Sequence, residues 1–261
     1  MLVYSAPPDA IAHGNWRQDV GLFDFLGGGT PAEKAAKLKA KAIQKYGDPA
    51  TRQKALGQLG DLQGPESTSA LLVRFTVTVD PATTDEDEKE HVFDLVKARG
   101  ADAVAPVKAF LKGNDAASSW MLRLLSAVLS EAEVIDVALE LLGQLGAGYT
   151  RDPERKLVLL HFLEDKQDPR IRPLAQSLVE DMSDDVKLAA LRVLVKRPDD
   201  SLKEPLVQAL LHAETSRRVQ AGILQTLSDG GYAVTGHRDA VQAVLPQGWS
   251  IDKSGQVQKR A

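Results

Sequence analysis

A short pattern of apolar and polar positions recurs along the second half of the chain. Residues 173–178 read Pro-Leu-Ala-Gln-Ser-Leu, and residues 205–210, which begin 32 positions later, read Pro-Leu-Val-Gln-Ala-Leu. A weaker copy, Asp-Ala-Val-Gln-Ala-Val, occupies residues 239–244, another 34 positions on. A helical unit that recurs at this period predicts helix pairs that bury their apolar faces by stacking on neighbouring pairs.

The same apolar spacing predicts an all-α chain, with a first helix followed by a train of about six helix pairs. The first helix begins at Thr30-Pro31-Ala32-Glu33, where Thr is a favoured cap and Glu33 can reach back to it. We expect the first helices of the pairs near 49–61, 84–99, 115–129, 153–165, 184–197 and 215–228. We expect the second helices near 65–78, 102–112, 131–143, 170–181, 201–212 and 238–245.

Residues that typically cap or begin helices support several of these predicted helix starts. Asp48-Pro49, Asp152-Pro153 and Asp168-Pro169 each place an acidic cap before a proline that fixes the first helical φ angle. Acidic residues near other starts, such as Asp184 and Glu131, suit the positive end of the helix dipole.

Two segments break the helical pattern and predict a different local structure. Residues 74–80 alternate β-branched and polar side chains, which indicates extended chain or a poor helix end. Near the C-terminus, Trp249, Ile251 and Val257 alternate with polar residues around a turn. This alternation predicts a small β-hairpin that caps the last helix pair. The domain prediction is therefore an N-terminal segment at 1–29, a helical repeat region at 30–245, and a hairpin cap with a basic tail at 246–261.

Composition narrows the class of protein. Aromatic residues make up 5% of the 261 residues, so the core has to come mainly from leucine, valine and alanine. The net charge of −4 gives no sign of the strongly basic face that general nucleic-acid binding needs. Cysteine is absent, which excludes disulfides, thiolate metal sites and cysteine nucleophiles. No apolar run is long enough to span a membrane, and the N-terminus lacks a signal-peptide pattern, so we expect a cytoplasmic protein.

The N-terminal segment differs from the rest in its clustered apolar residues and glycines. Residues 21–29 read Gly-Leu-Phe-Asp-Phe-Leu-Gly-Gly-Gly. One interpretation is a segment that docks on the first helix or stays disordered. The other is a short hook for a partner or a membrane surface, formed by Leu22, Phe23, Phe25 and Leu26.

One repeated polar position and three bulky side chains are candidates for binding a partner. The repeated position on the second helices carries Glu140, Gln176, Gln208 and Gln242, with Ala109 at the corresponding place of an earlier helix. Together with Lys108, which precedes Ala109, these four polar residues form the series that we call the ladder. The ladder is either an ordinary solvated face or a row of groups that bind a ligand, and neutral amides suit a peptide better than phosphates. Arg74, Phe75 and Trp120 are either interior residues or exposed anchors of the kind that concentrate binding energy.

The sequence carries no constellation that predicts catalysis, a cofactor or a metal. His-Glu-x-x-His, a nucleophile elbow and a phosphate-binding loop are all missing, and the five histidines are scattered. The acidic run at Asp85, Asp87, Glu88 and His91 lacks the spacing of a calcium loop. We interpret it as a solvated helix start, with an acidic protein-binding patch or a metal site as the alternatives.

The repeated segments resemble HEAT repeats, including the HEAT-like repeats of phycobilisome-lyase-type proteins. The strongest match is Asp184-Asp185-Val186-Lys187 leading to Ala189-Ala190-Leu191 and Leu194, followed by a Pro-Leu second helix; the resemblance covers about residues 48–245. It implies an α-α superhelix, a HEAT-like solenoid, with the second helices on its concave side and the first helices on its convex side.

The resemblance implies a binding function more than a chemical one. We expect a non-catalytic scaffold that binds a protein partner on the concave face. The alternatives are a HEAT-like bilin lyase or chaperone, which rests only on the resemblance, and a HEAT-like DNA-binding or repair protein. The latter needs a basic inner face around a catalytic acid, which the ladder does not supply.

Overall fold

The computed structural model describes residues 29–114, 116–212 and 214–260, and this part of the chain is mostly helical. The predicted N-terminal segment, apart from Gly29, lies outside the described residues. The α-helices are α1 (Pro31–Ala42), α2 (Pro49–Asp61), α3 (Pro65–Leu72), α4 (Ala82–Lys97), α5 (Val104–Gly113), α6 (Ser118–Val128), α7 (Glu131–Leu145), α8 (Glu154–Leu163), α9 (Ile171–Ser177), α10 (Asp184–Val195), α11 (Lys203–Leu211), α12 (Arg217–Asp229) and α13 (Arg238–Val244). An antiparallel pair of strands follows, β1 (Trp249–Ile251) and β2 (Val257–Lys259).

Side-chain caps explain where α1 and α2 begin. Thr30 and Glu33 form the predicted capping box at α1, and the Asp48 carboxylate accepts a hydrogen bond from the Thr51 amide at α2. The other two Asp-Pro pairs lie in the turns before their helices and do not cap the helices as the sequence predicted. Asp152 and Asp168 each accept a hydrogen bond from the amide two residues on, so they shape the turns before α8 and α9.

The even-numbered helices from α2 to α12 each pack on the next of their series, and several odd-numbered helices do the same. Contacts join α2 to α4, α4 to α6, α6 to α8, α8 to α10, and α10 to α12; others join α3 to α5, α7 to α9, and α11 to α13. Close approach is possible because glycine faces a leucine of the neighbouring helix. A Cβ atom on Gly222 would lie 2.6 Å from Leu188 Cδ2, and one on Gly60 would lie 2.7 Å from Leu95 Cδ2.

Two arginines donate hydrogen bonds to the carbonyl groups at the C-terminal ends of neighbouring helices. The Arg99 guanidinium, after α4, donates to the carbonyls of Leu59 and Leu62 at the end of α2, at 2.8 and 3.0 Å. Arg197, after α10, donates to the Leu163 carbonyl at the end of α8 at 2.8 Å. These carbonyls have no partner within their own helix, and a cation there also complements the helix dipole.

Ion pairs on the surface also connect one helix pair to the next. Arg123 pairs with Glu90 across α6 and α4 at 2.6 Å. Arg170 binds Asp168 through two nitrogens and reaches Asp136 on α7 at 2.6 Å. The hydrogen bonds from the Arg170 side chain and amide lower the pKa of Asp168 to about 2.

The irregular segment at 74–80 is held by a buried network of charges. Val73–Thr76 is a 3-10 turn, and the chain then becomes extended. Arg74, with no exposed surface, donates to Glu88 at 2.9 Å, to Asp85 at 2.8 Å and to the Val77 carbonyl at 2.7 Å. Arg52 of α2 donates to the same Glu88 carboxylate at 3.0 Å.

This network corrects the interpretation of the acidic run as a solvated helix start. Asp85 and Glu88 are buried against arginines, whereas Asp87 and His91 are exposed. Burial raises the pKa of Asp85, but hydrogen bonds from Lys89, Arg74 and the Val79 amide outweigh it, so the pKa lies below its ordinary value. Among the described residues, no group of three or more His, Cys, Asp or Glu side chains could hold a metal ion.

The C-terminal hairpin packs on the last two helices, as its alternating pattern predicts. Val257 of β2 is buried, and Arg238 at the start of α13 donates to the carbonyls of Ile251 and Asp252. The hairpin thereby covers apolar surface of α12 and α13.

Within the described ranges, every helix is too short or too polar to cross a membrane.

Removing one member of the buried network should strongly destabilise the protein. We expect Glu88→Ala to lower the free energy of unfolding by about 3–5 kcal/mol, because it leaves two buried guanidinium groups without their shared carboxylate. Glu90→Ala, on the same helix but in an exposed pair, should cost about 1 kcal/mol or less. Urea denaturation of both variants measures the difference, and equal losses would contradict the role of the network.

The low pKa of Asp168 predicts a dependence of stability on acid pH. Its folded pKa lies below its unfolded value, so its contribution is complete above about pH 4. The contribution is lost as the pH falls through about 2. Asp168→Asn should therefore be less stable than wild type at pH 7, and the difference should shrink below about pH 4. Thermal melts across this range check it; a constant difference would contradict the assignment.

Candidate functional site

The five ladder residues lie on five successive second helices. Lys108 is on α5, and the other four, Glu140, Gln176, Gln208 and Gln242, are on α7, α9, α11 and α13. Glu140, Gln208 and Gln242 are exposed, and Lys108 and Gln176 are half-buried. We call the outward side of these five helices the ladder surface.

Near α5 and α7 the ladder surface is tied together by a lysine–glutamate pair. Lys112 Nζ lies 2.6 Å from Glu140 Oε1, and the Gln144 amide donates to the same oxygen at 3.0 Å. The hydrogen bond and charge of Lys112 lower the pKa of Glu140, and the charge of Lys108 adds to the effect. Glu140 is therefore a carboxylate whose partner is already supplied by the neighbouring helix.

Near α11 and α13 a similar link involves Gln208. Its Nε2 atom donates to Glu204 Oε1 at 2.7 Å, and Glu204 Oε2 lies 3.0 Å from His237 Nε2. The hydrogen bond from Gln208, followed by that from His237, lowers the pKa of Glu204. Besides the N–H that it donates to Glu204, the Gln208 side chain has a second N–H and a carbonyl oxygen that can take part in hydrogen bonds.

A cavity of about 400 Å³ lies beside Gln208. Its floor is formed by the buried apolar residues Val179, Val219 and Ile223, and its rim carries polar groups from α10, from α11 and from the segments that follow α9 and α11. The full lining is Val179, Glu180, Lys187, Gln208, Ala209, His212, Thr215, Val219 and Ile223. An apolar floor with a few converging polar groups is typical of a ligand-binding pocket.

The sequence alone did not identify this cavity. Gln208 was singled out by its repeated position, but Val179 and Ile223 belong to different units and read simply as core residues. Their spacing along the chain carries no sign that they line the same cavity. The two residues come together only because the segment after α9 and helix α12 both pack against α10 and α11.

A second and more open groove, of about 590 Å³, crosses the first-helix side. Leu157, Val158 and Leu188 form its apolar part, with Arg192 and Arg218 among the charged groups around it. None of the residues predicted to bind a partner lies in this groove.

Arg74 and Phe75 are interior residues and offer no surface to a partner. Arg74 belongs to the buried ionic network, and Phe75 is 5% exposed. The sequence left both as either interior residues or exposed anchors. Arg74 is buried because it pairs with carboxylates of α4, whereas Thr76 and Thr78 of the same segment are exposed.

Trp120 lies in an aromatic cluster between α4 and α6. Its ring stacks on Phe75 with 4.8 Å between centroids, and Phe93 lies 6.4 Å away. The Arg123 guanidinium covers the cluster, 4.1 Å from the Phe93 centroid and 4.9 Å from that of Trp120. Trp120 is half-buried, so its main contacts are within the protein.

No known protein guides the assignment of a site. No family model matches the chain, and neither the search of curated proteins nor the search of solved structures found a match.

Substituting Trp120 should test whether it stabilises the fold. We expect Trp120→Ala to lower the free energy of unfolding by about 3 kcal/mol, because it removes packing against Phe75 and Phe93. Thermal and chemical denaturation measure this loss. An unchanged melting temperature would contradict the structural role and favour an exposed binding anchor.

Proposed function

We propose that the protein is a non-catalytic scaffold that binds a protein partner along the ladder surface. In this proposal the helix pairs form a HEAT-like α-solenoid, with the second helices on its concave side. Packing between successive helices of each series, together with ion pairs such as Arg123–Glu90, supports such stacking. Stacked repeats create extended surfaces suited to binding other macromolecules.

The observation that carries the proposal is the cavity beside Gln208. A protein partner can place one aliphatic side chain on the floor formed by Val179, Val219 and Ile223. In this proposal the rim groups Gln208 and His212 form hydrogen bonds with the main chain of the partner. This arrangement combines an apolar anchor with polar groups that fix its orientation.

The rest of the ladder suits an extended peptide. Gln176, Gln208 and Gln242 are neutral, and each side-chain amide can both donate and accept a hydrogen bond. Peptide N–H and C=O groups need such two-way partners, whereas phosphates need fixed positive charge. We therefore assign the partner as a protein segment in extended conformation.

Binding should depend on the ladder glutamines. Partners are first captured from native lysate with tagged full-length protein, identified by mass spectrometry, and then purified for titration calorimetry. A Gln176→Ala/Gln208→Ala/Gln242→Ala variant should bind the purified partner about tenfold or more weakly, because each lost hydrogen bond contributes about 0.5–1.5 kcal/mol.

The matched control carries Gln53→Ala and Gln225→Ala, which change exposed glutamines of the first helices α2 and α12. It should bind like wild type, and all variants should melt at similar temperatures. A partner lost by the control but retained by the ladder variant would overturn the ladder surface and favour the first-helix side. Capture of no partner by wild type would count against the scaffold itself.

A further inference from the structure

An apolar cleft lies between α1, the first helix of the described chain, and the end of α2. The cleft, of about 400 Å³, is lined by Lys34, Lys37 and Leu38 of α1 and by Gln58, Asp61 and Leu62, at or next to the end of α2. Leu38 and Leu62 are only half-buried, although both pack against the core. The cleft therefore leaves apolar surface uncovered close to where α1 begins.

The residues that precede α1 include an apolar segment of matching character. Leu22, Phe23, Phe25 and Leu26 surround a single acidic residue, Asp24, and three glycines connect the segment to Thr30. Glycine adopts φ angles that other residues avoid, so this linker permits a sharp reversal of the chain. Two of the six residues around the cleft are lysines, which complement Asp24, while Asp61 opposes it.

The linker is long enough for the segment to reach the cleft. Leu38 lies eight residues after Thr30, which along a helix is a distance of about 12 Å. Leu26 and Leu22 lie three and seven residues before Gly29, and these lengths span up to about 10 and 25 Å when extended. A reversal at the glycines would thus give the far end of the segment, at Leu22, enough reach to arrive at Leu38.

We propose that residues 22–26 of this chain fold back and dock in the cleft between α1 and α2, covering Leu38 and Leu62. Burying Phe25 and its neighbours there removes their apolar surface from water and closes this end of the helical stack. The occupant is the chain's own segment, and the proposal does not depend on the scaffold function or on any external partner.

Because the chain has no cysteine, introduced cysteine pairs provide a direct test. Asp24→Cys is combined with Gln58→Cys, which places the second thiol at the cleft. The control combines Asp24→Cys with Ala36→Cys, an exposed position on α1 outside the cleft lining. Ala36 is nearer to Gly29 along the chain, so linker reach alone favours the control pair.

Under mild oxidation we expect the Gln58 pair to form an intramolecular disulfide several-fold faster than the Ala36 pair. Adding Leu22→Asp and Phe25→Asp should slow the Gln58 pair to the rate of the control, since docking then loses its apolar contacts. Non-reducing electrophoresis and intact mass distinguish products within one chain from products between chains. Equal rates for the two pairs, or a product formed only between two molecules, would overturn the proposal.

Discussion

The packing of helices on those that lie two positions before or after them along the chain, such as α10 on α8 and α12, is the constraint on which the structure depends. This packing buries apolar residues such as Leu191 and Leu194 of α10. Gly222 facing Leu188 shows how closely α10 and α12 must approach, since even a Cβ atom would overlap with the leucine. The positions of the ladder residues and of the cavity beside Gln208 follow from this stacking, because the cavity forms only where successive units meet.

Polar contacts determine how the pairs are oriented once they are in contact. Arg99 and Arg197 each satisfy carbonyls at the end of a helix that belongs to the preceding unit. A guanidinium has several donors in a fixed plane, so such contacts restrict the angle between helices more than apolar packing does. They also remove the cost of leaving terminal carbonyls unpaired in a partly covered site.

The sequence predicted the local structure well and the buried polar contacts poorly. Helix periodicity and caps such as Thr30–Glu33 are local signals, and the ranges they predict agree closely with α2, α7 and α10. The alternation around Ile251 likewise predicted the C-terminal hairpin, which the structure confirms. The repeated position of Gln208 indicated a surface ladder, but the cavity beside it joins residues from separate helices and has no signature in the spacing. Whether these residues bind a partner stays a prediction.

The acidic run after residue 80 shows why the sequence misled at that point. Acidic residues at a helix start are usually solvated, and nothing local distinguishes Glu88 from Glu86. Their different environments arise because Arg52, from α2, and Arg74, from the 3-10 turn, both face Glu88.

Burying these charges is costly, and an apolar cluster of similar volume could provide equal stability. Unlike such a cluster, the network also binds the Val77 carbonyl and the Val79 amide, and so it fixes the extended chain between α3 and α4 in one conformation. Charge pairing thus supplies order where the repeat pattern is broken and helical packing alone cannot.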